Sequence, residues 1–382
     1  MTVQRVVPPA GANSSEPQFM SSPRGLVFSW VERTGTTTLL KFSERTASGW
    51  SASMTAASGD DWFLSYADVP SVMRMSNGTL VAQWLQTIDP RTEAYNLRIS
   101  YSQDDGKTWA PSFLPHHDGT STQHGFASMV ELPGSNTLGV VWLDGRDSEF
   151  DFDHPQTSGR MALRYAAFDA GWKQTVDVEI DPKVCECCPT TAVVTSDGIL
   201  AAFRDRSDDE VRDIAVSRLE GGTWTTPAAV HADNWKLDFC PVNGPMLSAR
   251  GRDVVVTWFT VTNDQGQAYA AFSSDAGRSW GAPIRLDDGG SLGRTDVELL
   301  DDGSAVASWV EYADGKSDFR FRRIDRSGAR SMPVNVAPVT GGRATGYPRI
   351  GRRGDELVLS WTDSGPGEDG TLQIQTAVGR LP

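Results

Sequence analysis

One pattern recurs along the whole chain: a short apolar strand that ends on an aromatic residue. Its copies are Leu26-Val27-Phe28-Ser29-Trp30, Leu80-Val81-Ala82-Gln83-Trp84, Leu138-Gly139-Val140-Val141-Trp142, Leu200-Ala201-Ala202-Phe203, Val254-Val255-Val256-Thr257-Trp258, Ala305-Val306-Ala307-Ser308-Trp309 and Leu357-Val358-Leu359-Ser360-Trp361. The aromatic positions 30, 84, 142, 203, 258, 309 and 361 stand 51 to 61 residues apart. A fixed period of that length is the mark of a repeat architecture. Several copies follow a tight-turn dipeptide, as at Asn77-Gly78, Asp197-Gly198 and Asp302-Gly303, which is hairpin chemistry. A polar loop and an alternating strand follow the aromatic, as in Leu97-Arg98-Ile99-Ser100-Tyr101, and a fourth strand closes the unit. Four short antiparallel strands per repeat of roughly 50 residues describe a propeller blade.

The expectation is all-β: one β-propeller domain over residues 1–382, of four-stranded antiparallel blades, with seven repeats from residue 16 onward. A six-bladed ring with one irregular segment is the alternative. The last repeat, from about Gly346 to Leu381, holds only three strands, and Val3-Gln4-Arg5-Val6-Val7 can supply the fourth. Residues 1–15 are then an outer closing strand and linker, and pairing the two ends of the chain removes two exposed sheet edges.

A length of 382 residues exceeds one ordinary compact core, which a closed repeat ring accommodates. A net charge of −14 offers nothing to neutralise phosphates and argues against a nucleic-acid partner. No apolar run is long enough for a membrane span. The N-terminus lacks an apolar leader. The expected location is periplasmic or secreted, as a mature form, with the cytoplasm still open. Four cysteines are too few for a disulfide scaffold, so their clustering carries the signal.

Two turns are distinctive: Ser102-Gln103-Asp104-Asp105-Gly106-Lys107-Thr108-Trp109 and Ser273-Ser274-Asp275-Ala276-Gly277-Arg278-Ser279-Trp280. Degenerate copies occur at Phe168-Asp169-Ala170-Gly171-Trp172 and Glu220-Gly221-Gly222-Thr223-Trp224. The chain resembles the Asp-box (BNR) repeat propellers, the superfamily that includes the sialidases. The resemblance implies that these turns are structural staples on the face away from the ligand site. Physically, the Asp accepts turn amides, the Gly takes positive φ, and the Trp packs beneath. The sialidases use an arginine triad, a Tyr nucleophile with a Glu partner, and an Asp acid/base. The first-blade stretch where their first arginine belongs reads Glu16-Pro17-Gln18-Phe19-Met20 here, without arginine. Tyr347, in Gly346-Tyr347-Pro348-Arg349, and Glu298 are weak catalytic candidates outside any matched motif.

In a blade, the loop leading into the first strand and the loop between the second and third reach the same face. That face collects Cys185, Glu186, Cys187, Cys188 and Cys240, together with His124, Arg294 and Asp296. Cys188-Pro189 and Cys240-Pro241 are 52 residues apart, close to one repeat, which gives them the same place in neighbouring blades. Three readings of the cysteines are open. Cys185, Cys187, Cys188 and Cys240, with His124, can bind a soft metal, copper or zinc. Cys187–Cys188 or Cys188–Cys240 can form a disulfide or redox pair. All four can also be plain buried thiols.

The loop Arg204-Asp205-Arg206-Ser207-Asp208-Asp209-Glu210-Val211-Arg212-Asp213 and the segment Asp144-Gly145-Arg146 reach the same face. As a solvated loop they pair with themselves. As a site, Arg204, Arg206, Arg212 and Arg146 hold an anion while Asp205, Asp213 and Asp144 contact hydroxyls. Asp205 and Glu210 are further weak catalytic candidates, as a carboxylate pair for glycoside hydrolysis. His116, His117 and His154 read as surface residues, the Trp series as core, and Trp62 and Trp235 as lining of the ligand face. The carboxylates of Glu149-Phe150-Asp151-Phe152-Asp153 are a weak calcium candidate. The functional expectation is an extracytoplasmic module with a soft metal or redox cysteines. The alternative is a sialidase-like hydrolase or glycan binder using residues 204–213. Partners are a small molecule, a glycan or a metal ion.

Overall fold

The computed structural model describes residues 2–90, 93–149, 158–364 and 371–381. Its strands form seven separate antiparallel sheets, each a blade. The aromatic-ended segments are the second strands: Gly25–Thr34, Leu80–Asp89, Thr137–Glu149, Gly198–Arg204, Asp253–Thr262, Ala305–Ala313 and Glu356–Asp363. The seven-bladed expectation holds. In blade 7, Val3–Val6 pairs antiparallel with Gln373–Arg380, from Val3 opposite Gly379 to Val6 opposite Thr376. The N-terminal segment therefore supplies the fourth strand and closes the ring, as expected.

Each inner strand begins its regular pairing at an equivalent residue: Gln18, Ser71, Ser128, Thr191, Met246, Asp296 and Arg349. All seven line one axial cavity of about 420 Å³. Hydrogen bonds stitch neighbouring blades at this radius, such as Val72 N–H to Ser29 Oγ, Ala192 N–H to Ser128 Oγ and Ile350 N–H to Asp296 Oδ2.

The repeating tryptophans are core. Trp30, Trp142, Trp258, Trp309 and Trp361 are fully buried. A buried indole N–H needs an acceptor. Three of them find a carboxylate two residues on, which the strand period places on the same face: Trp30 to Glu32 at 2.7 Å, Trp142 to Asp144 at 2.9 Å and Trp309 to Glu311 at 2.8 Å. Blade 4 carries Phe203 instead, so Asp205 has no indole to serve.

Blade 2 departs from the four-strand expectation. It has three named strands, Ser71–Arg74, Leu80–Asp89 and Ala94–Ser102. A single bridge between Ile99 and Phe113 stands in for the fourth. Pro111 and Pro115 flank Phe113 and cannot donate to a ladder.

The two distinctive turns lie after third strands. Asp104 accepts Thr108 N–H at 2.9 Å and Thr108 Oγ1–H at 2.7 Å, which lowers its carboxyl to about 2. Asp275 accepts Ser279 N–H at 2.9 Å in the same way. Gly106 has φ +85°, and a Cβ there would meet the Phe42 ring at 2.7 Å. These turns are hydrogen-bonded staples, their Asp carboxylates committed to the turn's own amides and hydroxyls. Among the described residues, no helix is long and apolar enough to cross a membrane.

Candidate functional site

The four cysteines meet where the loop leading into blade 4 touches the loop leading into blade 5. Cys187 and Cys240 form a disulfide with Cα atoms 6.0 Å apart. This corrects the pairings expected from sequence, Cys187–Cys188 and Cys188–Cys240. The reason is register. Cys188 lies three residues before Thr191, but Cys240 lies six before Met246, where the equivalent pairing starts. The true counterpart of Cys188 is Asn243, whose N–H points at Cys188 Sγ from 3.4 Å. Blade 5's longer lead-in swings Cys240 outward to Cys187.

Cys185 and Cys188 are free and buried. Their sulfurs are 3.4 Å apart, and Cys185 Sγ is 3.9 Å from Cys187 Sγ. Arg212, itself 1% exposed, donates from Nη1 to Cys185 Sγ at 3.3 Å. Burial alone would raise the Cys185 thiol, but the hydrogen bond with Cys188 and the nearby Arg212 and Arg204 guanidiniums outweigh it and bring it down. Cys188 is pushed up, by burial and then by Cys185. The pair therefore shares its charge unequally, with thiolate character on Cys185.

Around the sulfurs stands a charged array. Arg206 forks onto Glu210 at 2.9 and 2.8 Å and reaches Glu186 at 3.4 Å. Arg212 bridges Glu186 and Glu210, each at 3.1 Å. Glu210 adopts φ +60°, an uncommon conformation for a non-glycine residue. It is held there because its N–H donates to Ser207 O and its carbonyl accepts Leu237 N–H. The Arg206 hydrogen bond, against a smaller burial effect, lowers the Glu210 carboxyl. Glu210 stays ionised and cannot donate a proton near neutrality.

These groups line a cleft of about 900 Å³ on the face that receives the inner-strand loops. Glu186 and Cys187 come from blade 4's lead-in, Arg206, Glu210 and Arg212 from its second-to-third-strand loop, and Phe239 and Cys240 from blade 5's lead-in. Phe63 and Tyr66 come from before blade 2, and Arg343 from before blade 7. Phe239 is 64% exposed. The Arg343 and Arg294 guanidiniums each lie 5.8 Å from the Tyr66 ring centre. Among the described residues Arg343 has no carboxylate partner, whereas Arg206 and Arg212 are committed to glutamates.

The remaining residues singled out from sequence lie elsewhere. Arg204 is 2% exposed and spends its fork on the carbonyls of Asn243, Arg212 and Phe259, 4.9 Å over the Trp235 ring. It braces blade 4 to blade 5 and is not a ligand arginine. Asp213 caps the Asn234 and Trp235 amides. Asp205 receives Arg206 N–H at 2.7 Å and is raised, first by burial. It is not part of the cleft wall, so it makes no acid–base pair with Glu210 there. Asp144 is buried against Trp142 and chelated by Arg146 at 2.7 and 2.8 Å. Trp62 stacks on Trp84 at 5.7 Å, and Trp235 lies under Arg204.

The weak catalytic candidates from the axial region also find other work. Tyr347 is buried, its hydroxyl donates to the Val242 carbonyl, and burial raises its pKa far above the ordinary range. Glu298 lines the axial cavity, and burial, then Asp296, raise it to about 8.

His124 does not join the cysteines. Its ring stacks on His116 at 3.7 Å, and its Nε2 is 3.1 Å from Asp118 Oδ2. His116 is therefore buried, not a surface residue; burial, then His124, lower it to about 3, so it is neutral. His117 is exposed and contacts Gln174 at 2.8 Å. His154 and the carboxylates of Asp151 and Asp153 lie outside the described residues.

Sequence reasoning missed Tyr66, Phe239 and Arg343. The lead-in rule applied to the cysteines holds for all three, since each precedes an inner strand.

No family model matches the chain, and no curated protein matches it. Solved structures do. A protein of unknown function from Dyadobacter fermentans aligns over 97% of this chain and 95% of its own, at 14% identity and TM-score 0.54. A polysaccharide lyase aligns over 96% and 90%, at 10% identity and TM-score 0.56. The Trypanosoma rangeli sialidase aligns over 87% of this chain and 57% of its own, at 11% identity and TM-score 0.51. The fold is a sialidase-like propeller. At these identities the likeness is one of fold.

Proposed function

We propose that this sialidase-like propeller binds an acidic glycan in the cleft beside the Cys187–Cys240 disulfide. One observation carries the reading. An exposed aromatic, Phe239, and a carboxylate-free arginine, Arg343, share a cleft large enough for a short oligosaccharide. Aromatic faces stack on sugar rings, and an unpaired guanidinium meets a carboxylate or sulfate as a fork. Tyr66 adds a second aromatic group, and the Glu186 and Glu210 carboxylates, held in place by Arg206 and Arg212, present ordered acceptors to hydroxyls. Fold neighbours that include a polysaccharide lyase and a sialidase are consistent with such a ligand. The two full turns at Asp104 and Asp275 support placing the chain among the Asp-box propellers, and the disulfide supports a periplasmic or secreted location.

The test is binding of uronic-acid, sialic-acid and sulfated oligosaccharides, followed by calorimetry and thermal shift, with a fluorogenic glycoside panel for turnover. Arg343→Ala and Phe239→Ala should each weaken binding at least about tenfold without lowering the melting temperature. Equal binding by both variants and the parent would overturn the reading.

The copper or zinc reading attaches only to reduced protein. The disulfide removes Cys187 and Cys240 as donors, and Arg212 places a cation against Cys185. Two thiols do not complete a four-coordinate zinc site, and His124 is engaged elsewhere. Metal analysis of protein prepared with and without reductant checks this: oxidised protein should carry no stoichiometric metal.

A further inference from the structure

We propose that the four cysteines form a two-step thiol–disulfide exchange centre that reacts with low-molecular-weight thiols and disulfides in the cleft. Cys187–Cys240 is its outward pair, and Cys185 and Cys188, at C-x-x-C spacing, are its buried pair. The proposal stands apart from the glycan reading, since it rests on the sulfurs alone.

Three observations carry it. The sulfurs are graded in exposure: Cys240 is exposed, Cys187 half-buried, and Cys185 and Cys188 are 1% and 2% exposed. They are also contiguous, with Cys185 Sγ 3.9 Å from Cys187 Sγ and 3.4 Å from Cys188 Sγ. Finally, Arg212 donates to Cys185 alone of the four, which marks Cys185 as the internal nucleophile. A disulfide serving only to tie two loops needs no free thiols against its sulfur. Here two buried thiols abut the half-buried end, while the other end faces the cleft.

The exchange balances without an added oxidant. Cys185 thiolate attacks Cys187 Sγ; the Cys185–Cys187 bond forms as Cys187–Cys240 breaks, and Cys240 leaves as a thiolate that takes a proton at the exposed end. Cys188, losing its proton, then attacks Cys185 Sγ and expels Cys187 as thiolate. One disulfide is lost and one is made. The buried dithiol is oxidised by two electrons, and the outward pair is reduced by two. The outward dithiol can then attack a small disulfide: Cys240 forms a mixed disulfide and expels one thiol, and Cys187 attacks Cys240 Sγ, remaking Cys187–Cys240 and releasing the second thiol.

The decisive experiment equilibrates the intact protein in glutathione buffers of stepped reduced-to-oxidised ratio. Acid quenching, alkylation and mass-spectrometric disulfide mapping follow. A Cys185–Cys188 population should appear among one-disulfide molecules before four thiols are released. Cys185→Ser should abolish that population and keep Cys187–Cys240. In Cys187→Ala, a glutathione adduct should form on Cys240. Passage from Cys187–Cys240 directly to four thiols, with no Cys185–Cys188 bond at any ratio, overturns the proposal, as does failure of Cys187–Cys240 to form in the most oxidising buffer. Both readings come from the unmodified chain, so they stand even if a variant fails to fold. Glycan binding measured on the oxidised protein reports separately on the cleft.

Discussion

Arg204, at the end of a strand, and Arg206, in the loop that follows, are two residues apart and do opposite things. Arg204 is buried among three carbonyls, so replacing it by Met leaves them unpaired and should cost about 3 kcal/mol, read from denaturant unfolding. Arg206→Met breaks partly buried ion pairs whose glutamates keep Arg212, and should cost about 1 kcal/mol. Buried carboxyls make a further prediction. Burial raises Glu16 to about 8 and Glu298 to about 8, above their unfolded value near 4.5. The folded state then holds protons that the unfolded chain gives up. The stability they contribute is full below about pH 4.5, falls as pH rises, and is lost by about pH 8. Melting temperature should therefore decline from pH 5 to pH 8, and Glu298→Gln should flatten that decline. A flat parent profile would contradict the burial of these groups. None of this shows in sequence, because an arginine or a glutamate reads the same whether its partner is a carbonyl, a carboxylate or water.

Elements were far more legible. Seven strands ending in an aromatic could be placed because each blade buries its second strand on both faces and needs the same residues there. The turn at Asp104 was legible too, since its Ser, Asp, Gly and Thr each meet a separate backbone demand. Asp104→Ala should lower the melting temperature while leaving glycan affinity unchanged, which calorimetry on one variant can show. The disulfide was not legible. Its partner depends on how far a lead-in loop swings before its strand starts, and Cys240 sits three residues further out than Cys188 does. The same hidden variable conceals the cleft: Phe239, Tyr66 and Arg343 are far apart in sequence and lie in loops without periodicity, so nothing local announces that they converge. Blade 2's missing fourth strand had a visible cause in Pro111 and Pro115, but only the paired register shows that a single bridge replaces it.

At the level of the whole molecule, closure dominates. Deleting residues 2–7 would strip the outer strand from blade 7 and expose the edge of Gln373–Arg380. The expected result is a melting temperature lower by several degrees and concentration-dependent association by light scattering, because an unpaired edge is a template for pairing. The seven inner strands would still surround the axial cavity, so the cleft residues of blades 2, 4 and 5 should keep their mutual geometry.

That same clasp sets an order on the making of the protein. Val3–Val6 is made before all seven inner strands, yet its partner, Gln373–Arg380, follows them all. While the blades are being made this segment has no mate, and the ring is an open arc with a raw edge at each end. Blades 1 to 6 can each complete their own sheet as they emerge, but the circle locks only once Gln373–Arg380 has emerged. A chain stalled in blade 7 thus has six blades and no clasp, and such nascent chains are where chaperone dependence should be sought.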